Sequence, residues 1–352
     1  MTLNTLLTGA AIGALALLAA PAIAGDPLYV LDKAATLPST DSDWDYIKLE
    51  PGGSRLFIAR RKDGLTVYDV DSGKVVGQVA NSTGANGPLL LPQFNRGYTA
   101  MTDGSLLSFD LKTLKVIDRV KLASDGGLNG VVFDPATRRI HAVVGARPQQ
   151  SAWYTLDAAT GKLLGTKTFP FRKMDDPAPD GKGHLFAPAR YDNILLKLNA
   201  ETLAEEARWN IDCVQVVAVE YQHETDRLLI GCRGDEPVFL ALDANTGRQI
   251  AKLPIGKGID GMAVDETRHR ILTSNGGDAT ISVIAQEGPD SYKLLGNIQT
   301  RPQARVMQID PRTGRLFTVT AGATLGAPNP DGSATPQTFH PDSFTVLTYK
   351  PS

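Results

Sequence analysis

From residue 44 to the C-terminus the chain is a succession of short runs that alternate apolar and polar residues, each bounded by Gly, Asp, Asn or Pro. Period-two alternation is the mark of strands with one face buried. Seven such runs are LTVYDV, LLSFDL, AWYTLD, ILLKLN, VFLALD, ISVIAQ and FTVLTY. Each follows a segment with its own layout, clearest in LEPGGSRLFIA, FDPATRRIHAV, VDETRHRILTS and IDPRTGRLFTV: an acid, a polar turn, then a base opening an apolar run. LPQFNRGYTAM, PDGKGHLFAPA and YQHETDRLLIG carry the same layout more weakly. Each of these segments predicts a strand, a tight turn and a second strand. After the third run come turns such as Asp71-Ser72-Gly73-Lys74 and a fourth run, as in VVGQVA, LLGTKT and QIAKLP. No stripe of 3.6-residue period extends over ten residues, so a helical solenoid is excluded.

The equivalent positions Arg55, Gly97, Arg139, His184, Arg227, Arg270 and Arg315 recur every 42 to 45 residues. Four strands per unit at this period predict an all-β chain, a seven-bladed β-propeller of four-stranded antiparallel blades. The seventh unit supplies strands at Arg305 to Asp310, Arg315 to Thr320 and Ser343 to Tyr349, and then the chain stops. Pro27 to Leu31 is the expected fourth strand, closing the ring and covering an exposed edge. The segment Leu325 to Pro341, rich in Pro, Gly and Thr, is expected to be a surface loop between the second and third strands of blade seven.

The first residues obey a different pattern. Leu3 to Ala24 are almost wholly apolar and small, and end in Ala22-Ile23-Ala24. That is a signal-peptide layout with cleavage after Ala24. Residues 1–24 are therefore read as a leader and 25–352 as one domain, exported to the periplasm with no membrane span in the mature chain. Export decides how Cys213 and Cys232 are read: as the only two cysteines, in an oxidising compartment, they form a disulfide.

Composition narrows the function classes. Lys and Arg number 36 against 38 Asp and Glu, for a net charge of -2, so no basic footprint for nucleic acid is present. The cluster Arg60-Arg61-Lys62 reads as a solvated edge. The five histidines lack metal-ligand spacing, no Gly-x-Ser-x-Gly elbow occurs, and the glycine pairs are not followed by a helix that would cradle phosphate. Trp44, Trp153 and Trp209 lie in or beside alternating runs and are read as blade packing.

The blade repeat, together with Trp44-Asp45-Tyr46, Leu111 to Val116 (LKTLKV), Asp157 to Lys162 (DAATGK), Asp180-Gly181-Lys182-Gly183, the cysteine pair and Ser274-Asn275-Gly276, resembles the YVTN-type, YncE-like family of exported bacterial seven-bladed propellers. The resemblance covers the whole mature chain and implies a binding or scaffold protein. The chain departs from the pattern at Ala85-Asn86-Gly87, Val214-Gln215-Val216 and Val306.

In a propeller the innermost strand of each blade lines the channel. The residues that open those strands are Asp45, Asn86, Asn129, Asp175, Gln215, Asp260 and Arg305, polar in every blade. Three readings of this ring stay open. It is a structural charge network, a site for a small ligand or a periplasmic protein partner, or an oxygen-rich site for a divalent cation such as Ca²⁺. The first function expected is a non-catalytic, monomeric scaffold that binds at the channel face. The alternatives are a metal-assisted hydrolase or lactonase and an accessory subunit of a periplasmic oxidoreductase.

Overall fold

The computed structural model describes residues 28–327 and 335–352. The expected leader and its cleavage point lie outside them, as does Pro27. Seven four-stranded antiparallel sheets follow one another along the chain, with strand order equal to chain order in the first six. Blade one, for example, is built from Trp44–Leu49, Arg55–Arg60, Gly64–Asp69 and Lys74–Gln78. The fold is thus all-β. The one helical element among the described residues is the 3-10 turn Pro92–Phe94, and none of them forms a helix long and apolar enough to cross a membrane.

The repeat has a local cause. At the end of the third strand, Asp69, Asp110, Asp157, Asn199 and Asp243 each accept hydrogen bonds from both the backbone N–H and the hydroxyl of the Ser or Thr three residues on. The residue after that Ser or Thr has a positive φ: Gly73, Gly161 and Gly247, but also Leu114 and Leu203. Its N–H donates to the carbonyl of that Asp or Asn at 2.8 Å in all five turns. A short side chain that mimics a backbone turn, followed by a left-handed residue, reverses the strand without help from packing. The acids between the first and second strands act similarly: Asp134 accepts from Thr137, Asp310 from Arg312 and Thr313, while Glu50 is paired with Arg55 at 2.5 Å.

Packing between blades supplies the rest. One cluster joins Trp44, Ile47, Leu56 and Tyr68 of blade one to Val306, Phe317, Val319 and Phe344 of blade seven, so the two ends of the chain share a core. Tyr29–Thr36 pairs antiparallel with Thr345–Pro351, as the fourth and outermost strand of the last blade. The ring is therefore closed by the N-terminal strand, which runs five residues past the expected Leu31.

Two details differ from expectation. In blade two Arg96, not Gly97, opens the second strand: Arg96 pairs with Asp110 as Arg55 pairs with Asp69 and Arg139 with Asp157. The 3-10 turn and the left-handed Asn95 fill the four positions between the paired Leu91 and Arg96, as many as separate Asp134 from Arg139 in blade three, so the equivalent position falls on residue 96. The insertion expected as a plain loop contains a hairpin of its own, Ala323–Leu325 with Gln337–Phe339, whose Phe339 packs edge-on against Trp44 at 5.2 Å; residues 328–334 lie outside the described part. Cys213 and Cys232 are bonded to each other with Cα atoms 6.0 Å apart, tying the approach to the inner strand of blade five to its second strand.

Candidate functional site

The inner strands begin at one end of the channel, and a chain of polar contacts runs around that mouth. Asp45 is 2.8 Å from Nη2 of Arg61, whose Nη1 is 2.5 Å from Asp43. Nε of Arg61 donates to Oδ1 of Asn86 in the next blade at 2.9 Å. Asn86 Nδ2 donates to the Asn129 carbonyl at 2.7 Å. Asn129 Nδ2 in turn reaches the Tyr46 hydroxyl at 3.4 Å and Oδ1 of Asp176 at 3.3 Å, and Lys173 Nζ donates to Asn129 Oδ1 at 3.4 Å. Blade four holds Asp175 between Lys173 at 3.2 Å and Arg190 at 3.5 Å. On the other side, Asp260 lies 2.5 Å from Arg233 and 3.4 Å from Arg305. Arg305 donates to the Trp44 carbonyl at 2.5 Å and lies over the Trp44 ring at 5.2 Å, returning to blade one.

Six of the seven residues expected at the mouth thus stand in this chain. Gln215 does not. It has a φ of +57°, sits in a break of the pairing between Val214 and Val216, and its backbone N–H donates to Asn193 Oδ1 at 2.9 Å. Asn86, Asn129 and Asp260 stand in similar breaks, so it is the left-handed backbone at the Gln215 bulge that re-aims this side chain.

A cavity of about 300 Å³ lies inside the ring, lined by the inner strands of all seven blades. Polar and apolar surface line it in nearly equal measure, the half-buried apolar residues being Val132, Phe133, Pro179 and Ala218. Asp176 and Asp260 face it beside Tyr46, and Lys48 and Glu220 line it further along the strands. Asp175 is not part of the lining; it is 3% exposed and held among its two bases. In blade four it is the adjacent Asp176 that reaches the cavity.

Asp176 differs from the other mouth carboxylates. Asp43, Asp45, Asp175 and Asp260 each have a guanidinium or ammonium within 3.5 Å. Asp176 has no such ion pair among the described residues, and its hydrogen bond is the one from Asn129. Removal from bulk water pushes its carboxyl up to about 7, and the neighbouring charges of Asp175 and Asp45 add to the rise against the Asn129 hydrogen bond and Lys173. Burial also raises Asp45 and Asp175, though Arg305 and Arg61 pull the first back, and Lys173 and Arg190 the second. The Tyr46 hydroxyl is pushed well above its usual range by burial, then by Asp176, Asp45, Asp175 and Asp260. At the far end, enclosure raises Glu220, partly offset by Lys48.

Glycine makes room for this arrangement. A Cβ on Gly130 would lie 2.0 Å from Oδ2 of Asp176, so the carboxylate rests directly on the blade-three backbone. Among the described residues no three His, Cys, Asp or Glu side chains converge in a geometry that would hold a metal ion.

Sequence reasoning missed Asp176, Tyr46 and the bases Arg61, Lys173, Arg190 and Arg233. Arg61 stands in the cluster expected to be a solvated edge, yet it joins two carboxylates and an amide at the mouth. A signal did exist for two others: Arg190 and Arg233 stand one blade period apart, just past or at the end of the second strand of blades four and five.

Neither the protein-family models nor the curated protein sequences contain a match to this chain. Solved structures do match, as folds. Kuenenia stuttgartiensis hydrazine synthase superposes with a TM-score of 0.67 at 14% identity, covering 86% of this chain and 97% of that one. The Myceliophteria thermophila Cps50 (Swd1) β-propeller domain gives 0.69 at 11% identity, covering 92% and 100%. A chain of the mitotic checkpoint complex gives 0.71 at 14%, covering 90% and 96%. The chain is a seven-bladed β-propeller. Identities this low speak for architecture alone.

Proposed function

We propose that this propeller is an exported, periplasmic scaffold of the YVTN type that binds a small ligand in its central channel, with the mouth available to a protein partner. One observation carries the reading: the cavity, lined by residues of every blade, holds in Asp176 a carboxylate without an ion-pair partner among the described residues. Other mouth charges satisfy one another and need no ligand, as buried charges in a structural network must. A concave site with convergent polar groups and one perturbed acid is a usual form of a small-molecule site. The volume is at the lower end of the range of roughly 300–1,000 Å³ typical of such sites. The disulfide supports an oxidising destination.

The test is a binding screen of amines, alcohols, carboxylates and sugars against the mature protein and against Ala218→Phe, which fills the channel from a half-buried wall position. A compound that binds the parent protein should lose its binding to the filled channel while the fold is retained by circular dichroism. Equal binding to both proteins, or no binding by any class, would refute the channel as a ligand site.

A further inference from the structure

We propose that the channel ligand is a small organic cation, a protonated amine on a short apolar body, seated with its ammonium group between Asp176 and the Tyr46 hydroxyl; this rests on the channel being a ligand site and names the class of ligand. The argument is one of charge around a closed space. Of the charged side chains that line the cavity, three are acids, Asp176, Asp260 and Glu220, and one is a base, Lys48. Arg61, Lys173, Arg190, Arg233 and Arg305 at the mouth are not in the lining, and each is engaged by a carboxylate. Asp260 has two guanidinium partners of its own. Glu220 at the far end is offset by the charge of Lys48, so at the mouth the uncompensated negative charge falls on Asp176, held by the Asn129 amide that also donates to the Tyr46 phenol oxygen.

The groups that face Asp176 are Asp175 on its own strand approach, Lys173 just before it, Asp45 and Tyr46 from blade one, and Asn129 from blade three. Two of the charged groups repel its ionised form and Lys173 favours it. An incoming ammonium would supply the missing counter-charge, and its hydrocarbon body would lie on the half-buried Val132, Phe133, Pro179 and Ala218. An anionic ligand would face three carboxylates, and a neutral one would leave Asp176 without a counter-charge. Because the free carboxyl titrates near neutrality, cation binding and loss of the Asp176 proton are linked: the amine should bind more tightly as pH rises from 6 to 8, with a proton released to buffer.

Isothermal titration of the mature protein with hexylamine, hexan-1-ol and hexanoate tests this, at pH 6 and 8 and in two buffers of different ionisation enthalpy. The expected result is a preference for hexylamine over hexan-1-ol of roughly ten- to a hundredfold, the worth of a charge-assisted hydrogen bond. Asp176→Asn should abolish that preference and the proton release but leave hexan-1-ol unchanged, and Tyr46→Phe should weaken the amine less. If hexan-1-ol or hexanoate binds as well as the amine, or if Asp176→Asn leaves the preference intact, the cation assignment is overturned while the channel survives as a site. If none of the three binds and Ala218→Phe also changes nothing in the wider screen, the site itself falls.

Discussion

Replacing Asp176 by Asn should stabilise the ligand-free protein, by an amount that depends on pH in a prescribed direction. The carboxyl titrates at about 7 in the folded chain, against the ordinary Asp value of roughly 3.9 in the unfolded one. The folded state thus holds this proton more tightly. Its advantage is complete below about pH 4, is lost as pH rises toward 7, and does not change further above it. The gap corresponds to at most about 4 kcal/mol. Asp176 keeps partial contact with channel water, and screening reduces the expected figure to about 2 kcal/mol. Asn presents a similar shape and cannot ionise, so the variant should match the parent near pH 4 and exceed it by about 2 kcal/mol at pH 8. Easier ionisation of Asp45 and Asp175 beside a neutral residue 176 adds in the same direction. Urea titrations from pH 4 to 8.5, with the midpoint and slope fitted for both proteins, give the difference directly. A stability difference that is flat across this range, or a variant that loses stability at pH 8, would show that Asp176 has a counter-charge in solution and is not the isolated acid described above.

Three further outcomes follow from the same geometry. Reducing the Cys213–Cys232 bond, which closes a loop with a sequence separation of 19, should cost on the order of 3 kcal/mol by the chain-entropy model; paired urea titrations with and without reductant measure it, and an unchanged midpoint would contradict it. Truncation of the mature chain before Leu37 removes the whole outer strand Tyr29–Thr36, bares the outer edge of Thr345–Pro351 and takes Tyr29 out of the blade six to seven core; the truncated protein should melt at lower temperature and aggregate through the bared edge, seen by light scattering. Gly130→Ala places a methyl against the Asp176 carboxylate, and should cost roughly 1–3 kcal/mol together with any hexylamine binding, measured by titration calorimetry.

How far the mouth could be read from the sequence depended on whether each blade kept its register. In blades one, three and six the residue reached by counting back from the second strand stands in a shared break of the pairing, and in blade seven it stands two positions before the inner strand; these are Asp45, Asn129, Asp260 and Arg305, none of them left-handed as Gln215 is, and all meet at the mouth. Blade four does not behave so. Its inner strand is reduced to Ala178–Pro179, flanked by Pro177, and proline has no N–H to give to a ladder. The count therefore ended on Asp175, while the irregular backbone turns Asp176 into the cavity. In blade five the bulge at Gln215 has a similar effect. The architecture was legible because each turn is specified locally, by an Asp or Asn and a Ser or Thr three residues later, and that code repeats in the sequence. The basic partners were not, since Arg61 and Arg190 reach back from the ends of second strands to acids at the start of their own blade's inner strand, and Arg233 to Asp260 of the next blade, contacts that strand alternation does not specify. The one acid those bases do not reach was thus the hardest to find. It lies where the repeat is most irregular, which is where a shared scaffold has room to acquire a binding group of its own.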